Sequence, residues 1–300
     1  MTEPRAQPEP QAEIEPDRYD LLDLACAAAV AAGQLLAAQP DRPLVVGTKT
    51  SPTDVVTEMD QASERLIRDW IAAERPDDAI LGEEGGQTGS GTLVRWIVDP
   101  LDGTVNYLYG LPDWAVSIAA EVGGRVVAGA VCVPRRDFLY GATLGGGAWR
   151  TGMADYGADG AVGRERPGRV ADARQALACN GDVALERALV ATGFGYSADR
   201  RRVQGRVLSA VLPRVRDIRR GGACAVDLCA LAAGNVDGYF ERGVEYWDIA
   251  AGSLIAREAG AVIGGLAGKP AGTSMTVGGG LMLFTELHDL LVSLDAERDD

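Results

Sequence analysis

The stretch Trp96-Ile-Val-Asp-Pro-Leu-Asp-Gly-Thr-Val-Asn-Tyr107 decides the fold of this chain. An apolar run leads into Asp99 and Asp102, which lie on either side of Pro100 and are followed by Gly103. Proline fixes its own φ and disfavours helical geometry at the residue before it, whereas glycine permits backbone conformations that are closed to other residues. The pattern therefore predicts a strand that ends at Asp99 and a helix that begins near Asp102.

This turn would place two carboxylates beside the free N–H groups at the start of a helix. Carboxylate oxygens are ligands for hard divalent cations, and a helix N-terminus favours a bound phosphate. The combination indicates metal-assisted phosphate chemistry. The same residues also form an ordinary Pro-x-Asp-Gly turn signal in which Asp102 only caps a helix, and the segment alone leaves both interpretations open.

The composition limits the classes of function. The chain has 300 residues, 47% of them hydrophobic, which is enough for one large domain or two closely packed ones. The formal net charge is −14, which argues against a nucleic-acid partner or an anionic membrane surface. No apolar run approaches the roughly 18 residues that span a bilayer, so we expect no membrane segment.

Cysteine and histidine usage narrows the chemistry further. The five cysteines are dispersed and include no Cys-x-x-Cys pair, which predicts reduced thiols and a cytoplasmic location. The only histidine in the sequence, His288, lies near the C-terminus. Unless the fold carries His288 to the motif, a zinc site, a Ser-His-Asp triad and a phosphohistidine intermediate are excluded.

Local patterns predict two halves in a layered arrangement. Residues 1–16, rich in Pro, Glu and Gln, lack the features of a signal peptide and indicate a disordered tail. We expect residues 17–150 to form an α+β half and residues 151–300 an α/β half, with the Gly-rich stretch Arg150–Ala173 as the boundary. Helices that alternate with mixed sheets predict a layered α/β sandwich.

Several local predictions bear on the surroundings of the motif. An antiparallel meander is expected from three β-rich runs, Trp114–Val122, Arg125–Val133 and Phe138–Thr143. A second helix is expected from about Asp54 to Ala73. Further predictions are a solvent loop at Gly85–Thr92, a helix at Ala184–Ala191 and a short strand at Leu281–Leu283.

Three more acids occur at the ends of predicted elements. Asp60 lies near the start of the second helix, and Glu83 comes directly after the apolar strand Ala79–Leu81. Asp248 begins a helix whose small residues at 250–253 allow close packing against a neighbour. Each acid could simply cap a helix or face solvent. Those roles do not explain why every candidate acid lies at an element end beside small residues, which favours a shared ligand site.

These segments resemble the inositol monophosphatase family of Mg²⁺-dependent, lithium-sensitive phosphatases, and its bacterial branch in particular. The resemblance extends from about Tyr19 to the C-terminal helix and is carried by four segments: Lys49–Asp60, Gly82-Glu-Glu84, Trp96–Tyr109 and Trp247–Ala261. It implies a layered αβαβα sandwich of the kind found in inositol monophosphatases and fructose-1,6-bisphosphatases. It also implies a homodimer.

The resemblance assigns roles by position. It implies oxygen ligands for roughly two to three Mg²⁺ ions per site: Glu83, Asp99, the carbonyl of Leu101, Asp102 and Asp248. It further implies that Glu83 and Thr104 orient the attacking water and that Asp60 partners the threonine. Lys49 resembles a lysine on a mobile loop near the site.

The resemblance also implies contacts to the substrate, in a part of the chain that departs further from the family pattern. The residues that match substrate contacts are Gly103, Thr104, Gly222, Ala223, Glu241 and Asp248. Glu241 resembles the acid that receives a substrate hydroxyl; the alternative is a solvent-facing carboxylate in a turn. Ala223 stands where many relatives carry Thr or Ser, which removes a hydrogen bond worth about 1 kcal/mol. Tyr109 replaces a frequent histidine.

The resemblance implies a phosphoric monoester hydrolase that acts on myo-inositol 1-phosphate or a similar small polyol phosphate. A metal-activated water would attack the ester, with no covalent enzyme intermediate. Relatives with other substrates leave alternatives open: histidinol phosphate, fructose 1,6-bisphosphate, NADP and 3′-phosphoadenosine 5′-phosphate. A bisphosphate or nucleotide would need a basic pocket, for which Arg200–Arg202, Arg219 and Arg220 are candidates. A non-catalytic binding protein on the same fold is the second class of function.

Overall fold

A computed structural model describes residues 17–39, 45–48, 55–90, 93–157 and 174–298. The predicted tail at residues 1–16 and the loop lysine Lys49 lie outside these ranges, as does most of the predicted boundary segment. The division into halves at residue 150 therefore stays a prediction.

The larger of two main sheets has eight strands. In spatial order they are β10 (Gln175–Ala176), β9 (Gly147–Gly152), β8 (Phe138–Thr143), β7 (Arg125–Val133), β6 (Ala115–Val122), β5 (Val94–Asp102), β3 (Ala79–Gly82) and β4 (Gly86–Thr88). The predicted meander is confirmed, because β6, β7 and β8 pair in sequence as antiparallel neighbours. Within this sheet β3 and β5 run parallel, which matters for the site.

The smaller main sheet has five strands of mixed direction. In spatial order they are β12 (Asp217–Arg219), β11 (Leu189–Thr192), β13 (Gly238–Glu241), β15 (Thr276–Gly279) and β14 (Val262–Gly264). A separate two-stranded hairpin joins β1 (Val45–Thr48) to β2 (Val55–Thr57). Both its strands lie before the second helix in the chain.

Helices alternate with the two sheets in layers. The six longer ones are α1 (Arg18–Ala37), α2 (Glu58–Glu74), α5 (Ala198–Val211), α6 (Cys224–Ala232), α7 (Tyr246–Glu258) and α8 (Leu281–Ser293); α3 (Thr104–Leu108) and α4 (Met153–Gly157) are short. Helices α1 and α2 cover one face of the large sheet, and α6 and α7 fill the space between the sheets. Helices α5 and α8 cover the far face of the small sheet. The αβαβα sandwich is thereby confirmed.

The end of the central strand differs from the prediction. Strand β5 continues through Pro100 to Asp102, and α3 begins at Thr104. The pairing with β6 shifts within this segment, since Asp99 faces Ser117 but Asp102 faces Ala115. This is a one-residue bulge, which accommodates a proline without needing an N–H group for the sheet.

Helix α2 begins four residues later than predicted. Thr57 is its N-cap, and its hydroxyl accepts hydrogen bonds from the N–H groups of Met59 (3.1 Å) and Asp60 (3.4 Å). Asp60 completes a capping box by accepting the Thr57 N–H at 2.7 Å. The residues before the cap are extended because they pair with β1, and Asp54 lies outside the described residues.

Three other local predictions are wrong, and in the first two of them strand pairing overrides a weak local pattern. Part of the predicted loop after Glu84 forms β4, which pairs with β3. The predicted helix at Ala184–Ala191 is a short 3₁₀ turn followed by β11, which lies between two parallel neighbours. The predicted strand at Leu281–Leu283 is the first turn of α8.

Helix α1 corrects the expectation that no apolar run approaches membrane length. Its 20 residues have a mean hydropathy of 1.5 over an 18-residue window, which is enough to cross a membrane by length and composition alone. However, 67% of that window is buried, against α2 and the large sheet. This is the environment of a core helix, and the same composition serves both.

The small residues of α7 permit the close packing that the sequence indicated. A Cβ on Gly129 of β7 would lie 3.0 Å from the Cα of Ala251. On the other side, a Cβ on Gly252 would lie 2.9 Å from the Cβ of Leu228 in α6. The central helix layer therefore depends on glycine and alanine at its contacts with both neighbours.

We expect Gly129→Ala to destabilise the protein by about 1–3 kcal/mol, because the added methyl group would push against the backbone of α7. The matched control is Gly205→Ala on the exposed face of α5, where a Cβ meets no atom within 4 Å. That substitution should stabilise the helix by about 0.5–1 kcal/mol. Urea unfolding of both variants measures the two effects. Equal effects would contradict the packing described for Gly129.

Candidate functional site

The parallel pair β3 and β5 brings the first two candidate acids together. Gly82 pairs with Val98, so the next residues, Glu83 and Asp99, leave neighbouring strands at the same edge of the sheet. The Glu83 N–H donates to the Val98 carbonyl at 3.2 Å. Asp99 is only 1% exposed, and its Oδ1 accepts the Leu101 N–H at 3.0 Å.

A buried polar face of α2 holds the turns that carry these acids. We call it the α2 polar face and define it as Thr57, Asp60, Ser63 and Glu64, all at most 3% exposed. Asp60 Oδ1 accepts the Thr104 hydroxyl at 3.0 Å, and the Ser63 hydroxyl donates to the Pro100 carbonyl at 2.7 Å. The sequence analysis identified only the apolar face of this helix. The spacing of three and four residues between the polar positions also indicates that they share one face, and that pattern was not used.

Gly103 forms the corner between β5 and α3. Its φ of 84° lies in the left-handed region, which favours glycine. A Cβ there would also lie 2.9 Å from the Cβ of Ala223 and 3.1 Å from the Asp113 carbonyl oxygen. The corner turns the Thr104 hydroxyl toward Asp60 and the Leu101 carbonyl, 3.1 Å away.

Asp102 links the two sheets through the middle helix layer. Its two carboxylate oxygens accept the N–H groups of Cys224 (3.2 Å) and Ala225 (2.7 Å), the first residues of α6. The residue at the N-cap of α6 is Ala223, which has no side-chain acceptor of its own. Asp102 therefore satisfies the orphan donors of a helix distant in sequence rather than those of α3.

Asp248 lies in the first turn of α7, on the other side of the cluster. Its Oδ2 accepts the Glu245 N–H at 2.7 Å in a capping box. The Ser117 hydroxyl donates to the Trp247 carbonyl at 3.4 Å, which joins the start of α7 to β6. Because Ser117 pairs with Asp99 across the sheet, α7 begins beside the end of β5.

Burial and mutual repulsion act on several of these acids. Burial raises the pKa of Asp248 well above its usual range, and the neighbouring charges of Asp102, Glu83 and Glu241 raise it further. Burial and the same kind of repulsion raise the pKa of Asp102. Burial also raises the pKa of Glu241 to about 7 and that of Asp227 to about 8. The cluster is therefore a buried concentration of carboxyl groups whose ionised forms repel one another.

The donor set fits a hard cation, although its present arrangement does not form a closed cage. Among the described residues, no three His, Cys, Asp or Glu side chains surround a common point in a way that would hold an ion. Asp99, Asp102 and Asp248 instead direct oxygens to backbone N–H groups. All the donors are oxygens, each with a further lone pair, and a divalent cation would offset their mutual repulsion.

Three of the predicted substrate residues, Gly222, Ala223 and Glu241, lie on the small-sheet side of the cluster. Asn106 Nδ2 donates to the Gly221 carbonyl at 2.9 Å, which fixes the loop that carries Gly222 beside α3. Glu241 Oε2 accepts the Tyr239 hydroxyl at 3.0 Å. A Cβ on Gly193 would overlap the Glu241 carboxylate. This glycine therefore provides the space in which the carboxylate lies.

The candidate arginines are placed differently from one another. Arg202 pairs with Asp199, and Arg219 pairs with Asp217 at 2.6 Å. Arg201 donates to the carbonyl of Gly195 at 3.2 Å, and Arg200 lies against Gly195 and Gly243. Only Arg220 among these five lies against the substrate loop, where a Cβ on Gly222 would meet its guanidinium.

The other positions singled out in the sequence include Tyr109, His288 and the five cysteines. Tyr109 is 79% exposed and projects away from the chain. His288 lies on α8, where its Nε2 accepts the Ala267 N–H at 3.0 Å, so the fold does not carry it to the motif. All five cysteines are free, as predicted. Sequence reasoning missed four polar residues that contact the site or its supports: Ser63, Glu64, Asp227 and Tyr239.

Known proteins share the sequence pattern and the fold. The model of the inositol monophosphatase family matches residues 17–294. Inositol-1-monophosphatase SuhB of Mycobacterium tuberculosis is 48% identical over 221 residues, which are 72% of this chain and 70% of that protein. The solved structure of Mycobacterium tuberculosis SuhB has a TM-score of 0.74 at 38% identity and covers 95% of this chain and 100% of that one.

Two other relatives bear on function. Nus factor SuhB of Escherichia coli K12 is 35% identical over 253 residues, 83% of this chain and 86% of that protein. The structure of inositol monophosphate bound SaIMPase-II has a TM-score of 0.68 at 26% identity. It covers 91% of this chain and 93% of that one.

We expect the metal-free protein to lose stability as the pH rises from about 5 to about 8. In the folded protein the pKa of Glu241 is about 7 and that of Asp227 about 8, against about 4 for carboxyls in an unfolded chain. The folded state therefore binds more protons than the unfolded state in this window. The free energy of unfolding, measured with urea in the presence of a chelator, should fall as these carboxyls ionise.

Two variants separate this effect from general charge repulsion. Asp227→Asn removes a titrating group and should make the pH dependence shallower. Asp217→Asn removes an exposed carboxyl whose pKa is lowered by its hydrogen bond to Arg219, and it should leave the slope between pH 5 and 8 unchanged. A free energy of unfolding that rises with pH over this range contradicts the buried, crowded state of the acids.

Proposed function

The chain belongs to the inositol monophosphatase family, and on that premise we propose that it is a Mg²⁺-dependent phosphomonoesterase for myo-inositol 1-phosphate or a similar small polyol phosphate. One observation carries the proposal. The Thr104 hydroxyl donates a hydrogen bond to Asp60 Oδ1 at 3.0 Å. This pair lies at the corner where the acid-bearing ends of β3 and β5 meet the start of α7. The hydroxyl, its acceptor and the clustered carboxylates are therefore neighbours at this corner.

We propose that the oxygens of this cluster bind the metal ions. The ligands would be Glu83, Asp99, the Leu101 carbonyl, Asp102 and Asp248. The support is their all-oxygen chemistry, their convergence where the ends of β3 and β5 meet the start of α7, and the pKa values of Asp102 and Asp248, which are raised by burial and further by mutual repulsion. When bound, Mg²⁺ would neutralise the phosphate dianion and acidify a coordinated water.

The Thr104 and Asp60 side chains would control the orientation of the attacking water. Asp60 accepts from Thr57 through its other oxygen, which holds the carboxylate in one position. The threonine proton is directed at Asp60 Oδ1, so the free lone pair of Thr104 Oγ1 is available to accept a hydrogen bond from water. Glu83 would act as the second acceptor for that water.

Glu241 would receive a hydroxyl of the leaving group. Its Oε2 already accepts the Tyr239 hydroxyl, and its carboxylate lies in the space that Gly193 provides. The N–H groups of Gly103 and Thr104 would bind the phosphate, with Gly222 and Ala223 beside them. An alcohol rich in hydroxyl groups fits this carboxylate better than an apolar leaving group does.

Other phosphate esters remain the alternatives to the polyol phosphate: histidinol phosphate, fructose 1,6-bisphosphate, NADP and 3′-phosphoadenosine 5′-phosphate. A second anionic group would meet Arg220, which lies against Gly222. The other candidate arginines contact acids or backbone elsewhere. One cation beside one carboxylate supports a monophosphate more than a bisphosphate.

The second class of function is a binding protein on the same fold. It is favoured by the relative from Escherichia coli, which is a Nus factor. The presence of Thr104 together with all the implied acids supports catalysis instead. Homodimerisation and inhibition by lithium are further proposals that depend on the family alone, whereas the proposed cytoplasmic location depends on the dispersed cysteines.

We expect a purified preparation to release inorganic phosphate from myo-inositol 1-phosphate faster than from the four alternative esters, and only with Mg²⁺ present. The physical reason is the pairing of one substrate hydroxyl with Glu241. Initial rates across this panel, with Mg²⁺ or with a chelator, give the answer. A preference for histidinol phosphate would overturn the substrate but not the metal chemistry.

We expect Asp99→Asn to remain folded and to lose activity by several orders of magnitude, on the order of 10³-fold or more. The amide keeps one acceptor for the Leu101 N–H but loses the negative charge. The matched control is Asp237→Asn, just before β13 of the small sheet, where the carboxylate accepts the Leu189 N–H at 2.7 Å. Circular dichroism shows whether each variant is folded, and the turnover number measures the loss of activity. Unchanged turnover in Asp99→Asn would refute its role as a metal ligand.

A further inference from the structure

We propose that Glu64 is a positioning residue that fixes the turn carrying Glu83 and thereby sets the affinity of the site for Mg²⁺. This inference depends on the proposed function, because it concerns a metal ligand of the same site. Glu64 belongs to α2 and is 3% exposed. It lies outside the implied ligand set, and neither its role nor its contacts follow from the motif.

Glu64 holds the turn immediately after Glu83 by two hydrogen bonds. Its Oε2 accepts the Glu84 N–H at 2.8 Å, and its Oε1 accepts the Gly85 N–H at 2.9 Å. On the other flank, the Glu83 N–H is bound to the Val98 carbonyl at 3.2 Å. The backbone that carries the Glu83 side chain is therefore fixed on both sides.

The glycines of the Gly82-Glu-Glu-Gly85 segment make room for this carboxylate. A Cβ on Gly82 would lie 2.6 Å from Glu64 Oε1, and one on Gly85 would lie at the same distance of 2.6 Å from the same atom. Both glycines thus permit close contact between the turn and the Glu64 side chain. The turn sequence and the buried acid on α2 fit each other.

Arg68 compensates the buried charge and extends the support. Its Nε donates to Glu64 Oε1 at 2.8 Å. The same guanidinium donates to the Thr88 hydroxyl at 2.7 Å and to the Gly86 carbonyl at 2.8 Å. Glu64 and Arg68 together therefore bind the turn that carries Glu83 and the strand β4 that follows it.

The charge state of Glu64 matters because both backbone partners are donors. A carboxylate can accept from both N–H groups and from Arg68, whereas the amide of a glutamine would present its own donors to one of them. The turn would then relax, and Glu83 would be less well placed for a cation. Loss of such a supporting contact typically lowers metal affinity about 10–100-fold.

The test compares Glu64→Gln with Glu258→Gln by titration calorimetry with Mg²⁺ and by thermal unfolding in chelator. Glu258 is the matched control, since it accepts two backbone N–H groups of a glycine turn, Gly145 at 2.7 Å and Gly147 at 2.9 Å. It lies at the opposite end of α7 from Asp248. We expect Glu64→Gln to bind Mg²⁺ about 10–100-fold more weakly, and Glu258→Gln to bind it normally.

Activity and hydrogen exchange complete the comparison. Saturating Mg²⁺ should restore the kcat of Glu64→Gln to within a few-fold of the original value, and the amides of Glu84 and Gly85 should exchange faster. If Glu64→Gln does not fold, Arg68→Gln at the partly exposed end of the pair should show the same loss of affinity to a smaller extent. If either variant folds and binds Mg²⁺ as tightly as the unchanged protein does, the role of Glu64 is overturned, and the proposed function is not. Failure of the unchanged protein to bind Mg²⁺ overturns the proposed function as well.

Discussion

The site depends on one constraint, the buried polar face of α2. Asp60, Ser63 and Glu64 each bind a different turn: the start of α3, the bulge at Pro100 and the hairpin after Glu83. Buried polar groups are costly unless they are paired, and each of these has a specific partner. The helix can therefore pack on the sheet only when the three turns are in their observed positions. The packing of α2 on the hydrophobic core and the placement of the acids therefore depend on the same contacts.

A second interaction joins the two sheets at the same place. Asp102 belongs to the large sheet but accepts the first N–H groups of α6, which packs on the small sheet. The N-terminus of α6 attracts negative charge through its dipole and its unpaired donors. This attraction offsets part of the repulsion between Asp102 and the neighbouring Glu241 and Glu83. The remaining repulsion is the electrostatic reason why a cation would be bound here.

Much of the site was accessible to sequence reasoning because its acids occur at element ends with distinctive neighbours. Glu83, Asp99, Asp102 and Asp248 were all predicted to share a site, and the structure places them at one edge of the large sheet. The supports were not predicted. Glu64 and Ser63 look like ordinary polar positions on an amphipathic helix, and nothing in the local sequence says that this polar face is buried. The same reasoning missed β11, whose strand form depends on parallel neighbours far away in the chain.

The sequence by itself determined a layered α/β class, the antiparallel meander, the identity of the acids and the family, because these depend on periodicity, turn chemistry and the order of short motifs. The resemblance to that family then implied the αβαβα order of the layers. Only the tertiary structure decided that β5 continues through Pro100, that Asp102 caps α6 and that α1 is a core helix. It also decided which arginine lies beside the substrate loop. The physical reason is that a hydrogen bond or a buried charge depends on its partner, and these partners lie roughly 20 to 120 residues apart, far beyond the few residues over which local patterns act.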